Sequence, residues 1–274
     1  ALDEATTQLD AADKAAWLHE AFVAHEKDDL SLAGRFHSGR STYGVHSTTG
    51  VAAYHQGSWV DLNLSALERP SGHKASAYRA FFNTSVDAEA VDRLQREVRL
   101  ECHRASKPIA VQPGEWDVVL APTAVAELLE WMGTIAFGSR TMEDETSFLF
   151  NRLGQPVTGE HITIVDDASM PNGVGVPLPF DTEGQPKKRV MLVERGVARG
   201  IVYDTQSALR GGCSSTGHAY HSDDSPSHGS QAAHLILCPG TSTPDELIRK
   251  VNRGLLITRL HYVNGMLEPR RAVM

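Results

Sequence analysis

The stretch "PGEWDVVLAPTAVAELLEWMGTIAFG", residues 113–138, changes texture within a few residues. Pro113-Gly114 is a turn pair, and the apolar run that follows reads as a buried strand. From Thr123 to about Phe137, Val125, Leu128, Leu129, Met132 and Ile135 recur at three- and four-residue steps and predict a helix with one apolar face.

On the C-terminal side strands dominate. "HITIVDD" (161–167) and "HLILC" (234–238) are strands, and "RVMLVERGVARGIVYD" (189–204) is a hairpin turning at Glu194-Arg195-Gly196. Two long loops separate them: a Gly/Pro-rich one over 171–186, and 209–231, "LRGGCSSTGHAYHSDDSPSHGSQ". Thr243, Pro244 and Glu246 form a capping box with proline at the first helical position, and Gly254 is expected to close that helix before "LLITRLH".

On the N-terminal side, Asp13 is expected to cap an opening helix that "HEKDD" ends. Arg35 to Leu64 reads as short antiparallel strands punctuated by Gly50 and Gly57. Asp87 begins a second helix on which Val91, Leu94, Val98 and Cys102 share a face, with Lys107-Pro108 just past its end. The class is α+β. A helical and stranded first part, 1–108, is followed by a strand-rich, largely antiparallel second part, 109–274.

Within "WLHEAFVAHE" (17–26), His19, Glu20 and His25 raise the question of a helical zinc motif. Two imidazoles share a face at an offset of four; an offset of six places them about 120° apart around the axis, so they diverge from any common ion. Trp17, Leu18, Ala21 and Phe22 define the apolar stripe, with His25 inside it and His19 outside.

Composition narrows the function classes. The chain has 274 residues, 41% hydrophobic and 22% charged, which suits one large or two modest globular domains. Its formal charge of −8 argues against direct nucleic-acid binding, and no run is long enough for a membrane span. Cys102, Cys213 and Cys238 are too widely spaced for a C-x-x-C site, which points to a reducing cytoplasm. Three constellations bear on chemistry. Cys213, His218, His221, Asp223, Asp224 and His228 are potential metal ligands in one loop; Cys213 with His218 is a potential nucleophile and base; Asp166, Asp167, Asp181 and Glu183 are potential acid/base or cation-binding carboxylates. Each also has an ordinary structural reading as a polar loop residue, a turn former or a strand terminator.

The order of segments carries more. "PGEWDVVLAP", "SFLFNRLGQPV", "ITIVDD", "PFDTEGQPKKRVMLVERGVARGIVYD", "ALRGGCSSTGHAY", "LCPG" and "RGLLITRLHYVNG" together resemble the TldD/PmbA family, the modulators of DNA gyrase, over roughly 33–274 and most strongly over 113–265. The resemblance implies a two-subunit metallopeptidase in which a TldD-like subunit carries zinc on an H-E-x-x-x-H helix and a TldE-like (PmbA-like) partner shares the fold without the metal. The corresponding region here, Leu129-Glu130-Trp131-Met132-Gly133-Thr134, has no histidine. The resemblance therefore implies the non-zinc subunit, without a metal of its own, paired with a TldD-like zinc subunit or as a homodimer, and acting on peptides and unfolded polypeptides. It also implies that family segments flanking this chain at both ends are missing. The peptide-contacting residues are expected in the two long loops, at Phe180, Asp181, Glu183, Gly184, Thr216, Gly217 and His218. Two rival readings remain: a self-sufficient peptidase using the 209–231 loop, and a non-enzymatic protein-binding regulator of the gyrase-modulator type.

Overall fold

The computed structural model describes residues 2–69, 75–170, 175–222, 225–260 and 263, with the backbone alone at 222 and 225–228. The chain divides into two compact units. The first comprises Ala1–Tyr43, Gln56–Gly114 and Asn172–Pro177; the second comprises Gly44–His55, Glu115–Pro171 and Leu178–Met274.

The first unit begins with a short helix α1 (Glu4–Gln8) and a longer α2 (Ala11–Lys27), followed by most of strands β1 (Leu30–His46) and β2 (Ala52–Glu68), then β3 (Ser76–Asn83) and helix α3 (Ala88–Ala105). The cap of α2 is Asp10, whose carboxylate accepts from Ala12 N and Asp13 N; Asp13 is the third helical residue of the same capping box rather than the cap itself. Two seventeen-residue strands replace the several short ones expected over 35–64. Gly50 does make the turn between them, at φ +92°, whereas Gly57 is buried inside β2. The two glycines look alike in sequence, but only the first occupies a conformation that demands one.

The sheet runs β1-β2-β3, with β2 and β3 antiparallel. Val60, Leu62, Leu64 and Ala66 alternate inward along β2, and the last three meet Val91, Leu94, Val98 and Cys102 of α3, the face anticipated from their spacing. Trp17 and Leu18 of α2 pack against the same cluster, while Phe22 is 46% exposed. On a helical wheel Trp17, Leu18, Ala21 and His25 span about 100°, and Phe22 lies about 40° beyond their edge. Phe22 therefore does not belong to the buried stripe.

The second unit contains β4 (Asp117–Leu120), α4 (Pro122–Ile135), α5 (Ser139–Glu143), β5 (Ile164–Asp166), β6 (Val190–Glu194) and β7 (Val197–Ala198). It continues with α6 (Thr205–Arg210), β8 (Ala219–Ser222), β9 (Ser225–Ser230), β10 (Leu235–Leu237), α7 (Pro244–Lys250) and β11 (Gly254–Ile257). An antiparallel sheet of order β10-β5-β6-β7 holds the core, in which Leu129, Phe137, Leu149, Ile164, Leu192 and Val202 pack together. The β6–β7 hairpin turns on Arg195 and Gly196, both at positive φ, the conformation of a two-residue primed turn.

Two expectations fail here. β4 is not a buried strand: Val118 is 52% exposed, because β4 pairs with β11 alone among the described residues, and a two-stranded parallel ribbon leaves a face open. Gly254 does not close α7, which ends at Lys250 with Val251 as its cap; Gly254 begins β11, where a Cβ would stand 2.4 Å from the Asp117 carbonyl oxygen. The Thr243 capping box is present. No described helix is long and apolar enough to cross a membrane.

Candidate functional site

Residues 209–231 do not form one long loop. They finish α6, pass through a turn and form the antiparallel β8–β9 hairpin. His218, just before β8, is sealed from solvent: Nε2 lies 2.9 Å from Asp166 Oδ1, and Nδ1 lies 2.8 Å from the Thr216 carbonyl and 3.0 Å from its hydroxyl. The second oxygen of Asp166 accepts from His234 N at 3.0 Å. Burial by itself would raise the Asp166 carboxyl; the His218 hydrogen bond and charge, with the His234 N–H, outweigh it and hold the group below the usual carboxylate value. Lys187 faces Asp166 and Asp181, and burial draws its ammonium below the usual value against the pull of those two charges.

The carboxylates of this region anchor backbone. Asp181 accepts from Glu183 N at 3.0 Å, Gln185 N at 2.9 Å and Ala219 N at 2.8 Å, tying the 181–185 turn to β8. Asp167 holds Ser169 through its N–H and hydroxyl. A general base must reach the proton it removes, and both oxygens of Asp166 and of Asp181 are committed to hydrogen-bond donors, while Asp167 holds Ser169 with Oδ1 and faces the Arg189 guanidinium with Oδ2. They form no acid/base pair.

The Cys213–His218 pair fails for a similar reason. Cys213 is exposed while His218 is sealed with both ring nitrogens engaged, so the His218 imidazole is not available to the thiol. Of the proposed ligand cluster, His218 and exposed His221 are described apart from Cys213, and Asp223, Asp224 and the His228 side chain lie outside the described residues. Among the described residues no group of three or more His, Cys, Asp or Glu is gathered about one point.

Helix α4, the region to which the family resemblance assigns zinc ligands, offers an independent test. Leu129 is packed in the core, a Cβ on Gly133 would stand 2.3 Å from the Ala232 carbonyl oxygen, and the Thr134 hydroxyl donates to the Glu130 carbonyl. Glu127, on the same helix, accepts from Leu260 N at 2.7 Å. These side chains do not fit a zinc centre, which needs convergent imidazole, thiolate or carboxylate donors.

The 181–185 turn, α5, α6 and the β8–β9 hairpin enclose a cavity of about 640 Å³. Ser139, Arg140 and Glu143 line it from α5; Asp204, Gln206 and Arg210 from α6 and its cap; Thr182 and Glu183 from the turn; and Tyr220 and His221 from β8. On its wall Ser139 shares hydrogen bonds with Ser207 (2.7 Å) and Ser230 (2.8 Å), and Ser230 donates to the Val202 carbonyl. Among the described residues neither imidazole nor carboxylate touches these hydroxyls, and they bond to one another as a structural clasp. Arg140 pairs with Asp144 at 2.7 Å, and Arg210 grips both oxygens of Glu143 at 2.9 Å. Glu183 accepts from Thr205 N at 3.0 Å, and Asp204 caps α6 through Ser207 N at 2.7 Å.

Of the seven loop residues expected to contact peptide, Glu183 lines this cavity. Phe180 and Asp181 are buried beneath the turn. Gly184 and Gly217 both adopt positive φ, and a side chain on them would strike Val51 (2.6 Å) and the Pro186 carbonyl oxygen (2.2 Å), respectively. Thr216 donates to the Tyr203 carbonyl and receives from Tyr203 N, while His218 is sealed as described. Asp204, Ser139, Arg140 and Arg210 were missed. For Asp204 a signal did exist, since Asp-Thr-Gln-Ser is a serviceable helix start; nothing in the sequence indicates that α5 faces α6.

The sequence profile of the PmbA/TldA metallopeptidase C-terminal domain matches residues 113–271. A metalloprotease from Methanothermobacter thermautotrophicus is 26% identical over 188 residues, which cover 68% of this chain and 40% of that protein. A metalloprotease TldD homologue from Buchnera aphidicola subsp. Schizaphis graminum is 28% identical over 231 residues, covering 77% of this chain and 46% of that protein. The crystal structure of TldE from Thermococcus kodakarensis superimposes with a TM-score of 0.81 at 22% identity, covering 90% of this chain and 56% of that one. The chain thus spans less than half the length of these curated relatives, and the structural likeness is one of fold.

Proposed function

The chain belongs to the PmbA/TldD metallopeptidase family, and on that premise we propose that it is the TldE-like subunit of a TldD/TldE-type peptidase acting on peptides and unfolded polypeptides. The observation that carries this reading is α4. Where a zinc subunit of the family is expected to present two imidazoles and a glutamate, this helix turns Leu129 into the core and sets Gly133 against a carbonyl oxygen. Amide hydrolysis needs a polarised water or an activated nucleophile. The described residues supply neither, since the buried carboxylates hold backbone, both His218 nitrogens are occupied, and the cavity hydroxyls touch no base. In this reading the zinc chemistry resides in a TldD-like partner, and this chain completes the enclosure and holds an extended peptide.

The test is reconstitution with full-length proteins. Cleavage of an unstructured peptide should be absent with this protein alone, appear on mixing with a TldD-like subunit, and vanish with a chelator. Chelator-resistant hydrolysis by this protein alone, lost in Cys213→Ala, would establish the self-sufficient peptidase instead.

A further inference from the structure

The β1-β2-β3 sheet is open along β1. β2 is the one sheet neighbour of β1, and among the described residues no turn, loop or side chain bonds to the backbone of residues 31–43. An edge strand presents a row of unpaired N–H and C=O groups to its open side. Proline and lysine, which commonly guard such edges, are absent from β1.

The apolar core is unfinished at the same edge. Along β2, Leu62, Leu64 and Ala66 are fully buried, whereas Leu32 and Phe36, on the corresponding face of β1, are only partly buried although they pack on the same cluster. Lys14 and Trp17 of α2 flank this edge: the Lys14 Nζ lies 5.8 Å from the Phe36 ring centroid, and the Trp17 and Phe36 rings are 6.2 Å apart. A further strand, about 4.8 Å outside β1, would set its inward side chains beside Leu32 and Phe36 and extend the core by one row.

Charge selects the occupant. Residues 31–43 include Arg35, His37 and Arg40 and no carboxylate, in a chain of net charge −8. Arg35 engages Asp61 of β2 through a single nitrogen, and exposed Arg40 has no carboxylate partner among the described residues. A second copy of this chain paired along β1 would set these cations against one another, and like charges on adjacent strands are destabilising. An extended segment with apolar side chains toward α2 and carboxylates beside Arg35 and Arg40 fits the open backbone, the half-covered core and the charge together.

We propose that β1 is a strand-addition edge at which this subunit holds extended acidic peptide segments, through backbone hydrogen bonds along 31–43 and charge pairing at Arg35 and Arg40. The proposal rests on the peptide-handling role given above and specifies the surface and the substrate class.

Three short, blocked, fluorescent peptides of alternating apolar and polar residues test it, with glutamate, lysine or glutamine at the polar positions. By fluorescence anisotropy at low ionic strength, the full-length protein should bind the glutamate peptide roughly tenfold more tightly than the glutamine peptide, the scale of one charge-assisted hydrogen bond, and the lysine peptide more weakly than either. Methylating every second backbone nitrogen of the glutamate peptide keeps its charge; in one of the two possible sets it should abolish binding. Hydrogen exchange should slow at 31–43 when the glutamate peptide is bound. Arg40→Glu changes an exposed side chain and should turn the preference toward the lysine peptide, with circular dichroism to check the fold; Arg40→Gln should weaken the glutamate preference without reversing it. No binding, equal binding of the three peptides, indifference to both methylated sets, a preference unchanged in the folded Arg40 variants, or protection only outside 31–43 would overturn the proposal. A dimer by light scattering that protects 31–43 without peptide would overturn it in favour of a second copy at this edge. Failure here with cleavage by the assembled pair intact leaves the subunit reading standing; acidic-peptide binding at β1 without cleavage by that pair does the reverse.

Discussion

Among the described residues each unit seals one histidine from solvent, and the two surroundings differ in kind. In the first, His25 sits on the inner face of α2, its Nδ1 2.7 Å from the Ala21 carbonyl of its own helix and its Nε2 without a hydrogen-bond partner. In the second, His218 bridges Asp166 and the Thr216 carbonyl and so joins the end of β5 to the chain entering β8. His25 behaves as a core residue that happens to be polar. His218 belongs to a connected set of polar groups, with Asp166, Asp181 and Lys187, that fixes loops a hydrophobic core does not reach. A buried imidazole thus says little by itself; the partners on its second nitrogen decide what it does.

The same substitution at both sites should break this comparison or establish it. His218→Leu leaves the Asp166 carboxylate buried without its partner and should cost about 3–5 kcal/mol in urea unfolding. His25→Leu removes an imidazole nitrogen that already lacks a partner and should cost less than about 1.5 kcal/mol. Similar losses at the two sites would mean that the network contributes no more than packing does.

Acid should separate the two regions next. Burial is the largest influence on His25 and lowers its pKa from 6.5, only partly opposed by the Ala21 carbonyl. The unfolded chain therefore takes up the proton first, so the stability His25 contributes is complete above about pH 6.5 and is lost as pH falls from there toward the folded value. The slope is at most about 1.4 kcal/mol per pH unit for one proton, and His25→Leu should flatten it. Asp166 has a lowered pKa as well, below 3.8, so its contribution persists through that range and is lost only as pH falls from about 3.8 toward the folded value. Urea midpoints between pH 8 and 3 would show two separate declines; a single decline near pH 4, unchanged in His25→Leu, would refute the assignment.

The smallest effects are expected at the helix caps, which serve the two units alike. Asp10→Ala and Thr243→Ala each remove a capping box and should cost about 1 kcal/mol in chemical denaturation. A much larger loss at Asp10 would indicate that the entry to α2 supports more than its own helix.

Signals complete within one turn or one hairpin were legible in the sequence. The inward face of α3, the Thr243 box, the Arg195-Gly196 turn and the burial of His25 all follow from contacts between residues a few positions apart, where chain geometry leaves few choices. Asp10 and Asp13 were confused because both belong to one capping box, and sequence alone does not say which of them starts the helix. Within the candidate site Glu183 was anticipated, whereas Asp204 and the paired arginines were not, since their roles depend on α5, α6 and β8 meeting around one cavity.

The sequence by itself determined the α+β class, the ordered series of segments that mark the family, and an α4 without an imidazole, because each is a property of residue type and local spacing. Tertiary structure decided that the run in β4 is half open, that Gly254 lets β11 approach Asp117, and that Asp166 and His218 meet across fifty-two positions of chain. These outcomes depend on which distant strand or loop arrives beside a residue. That is set by the packing of the whole core and carries no signature in the residue's immediate neighbours.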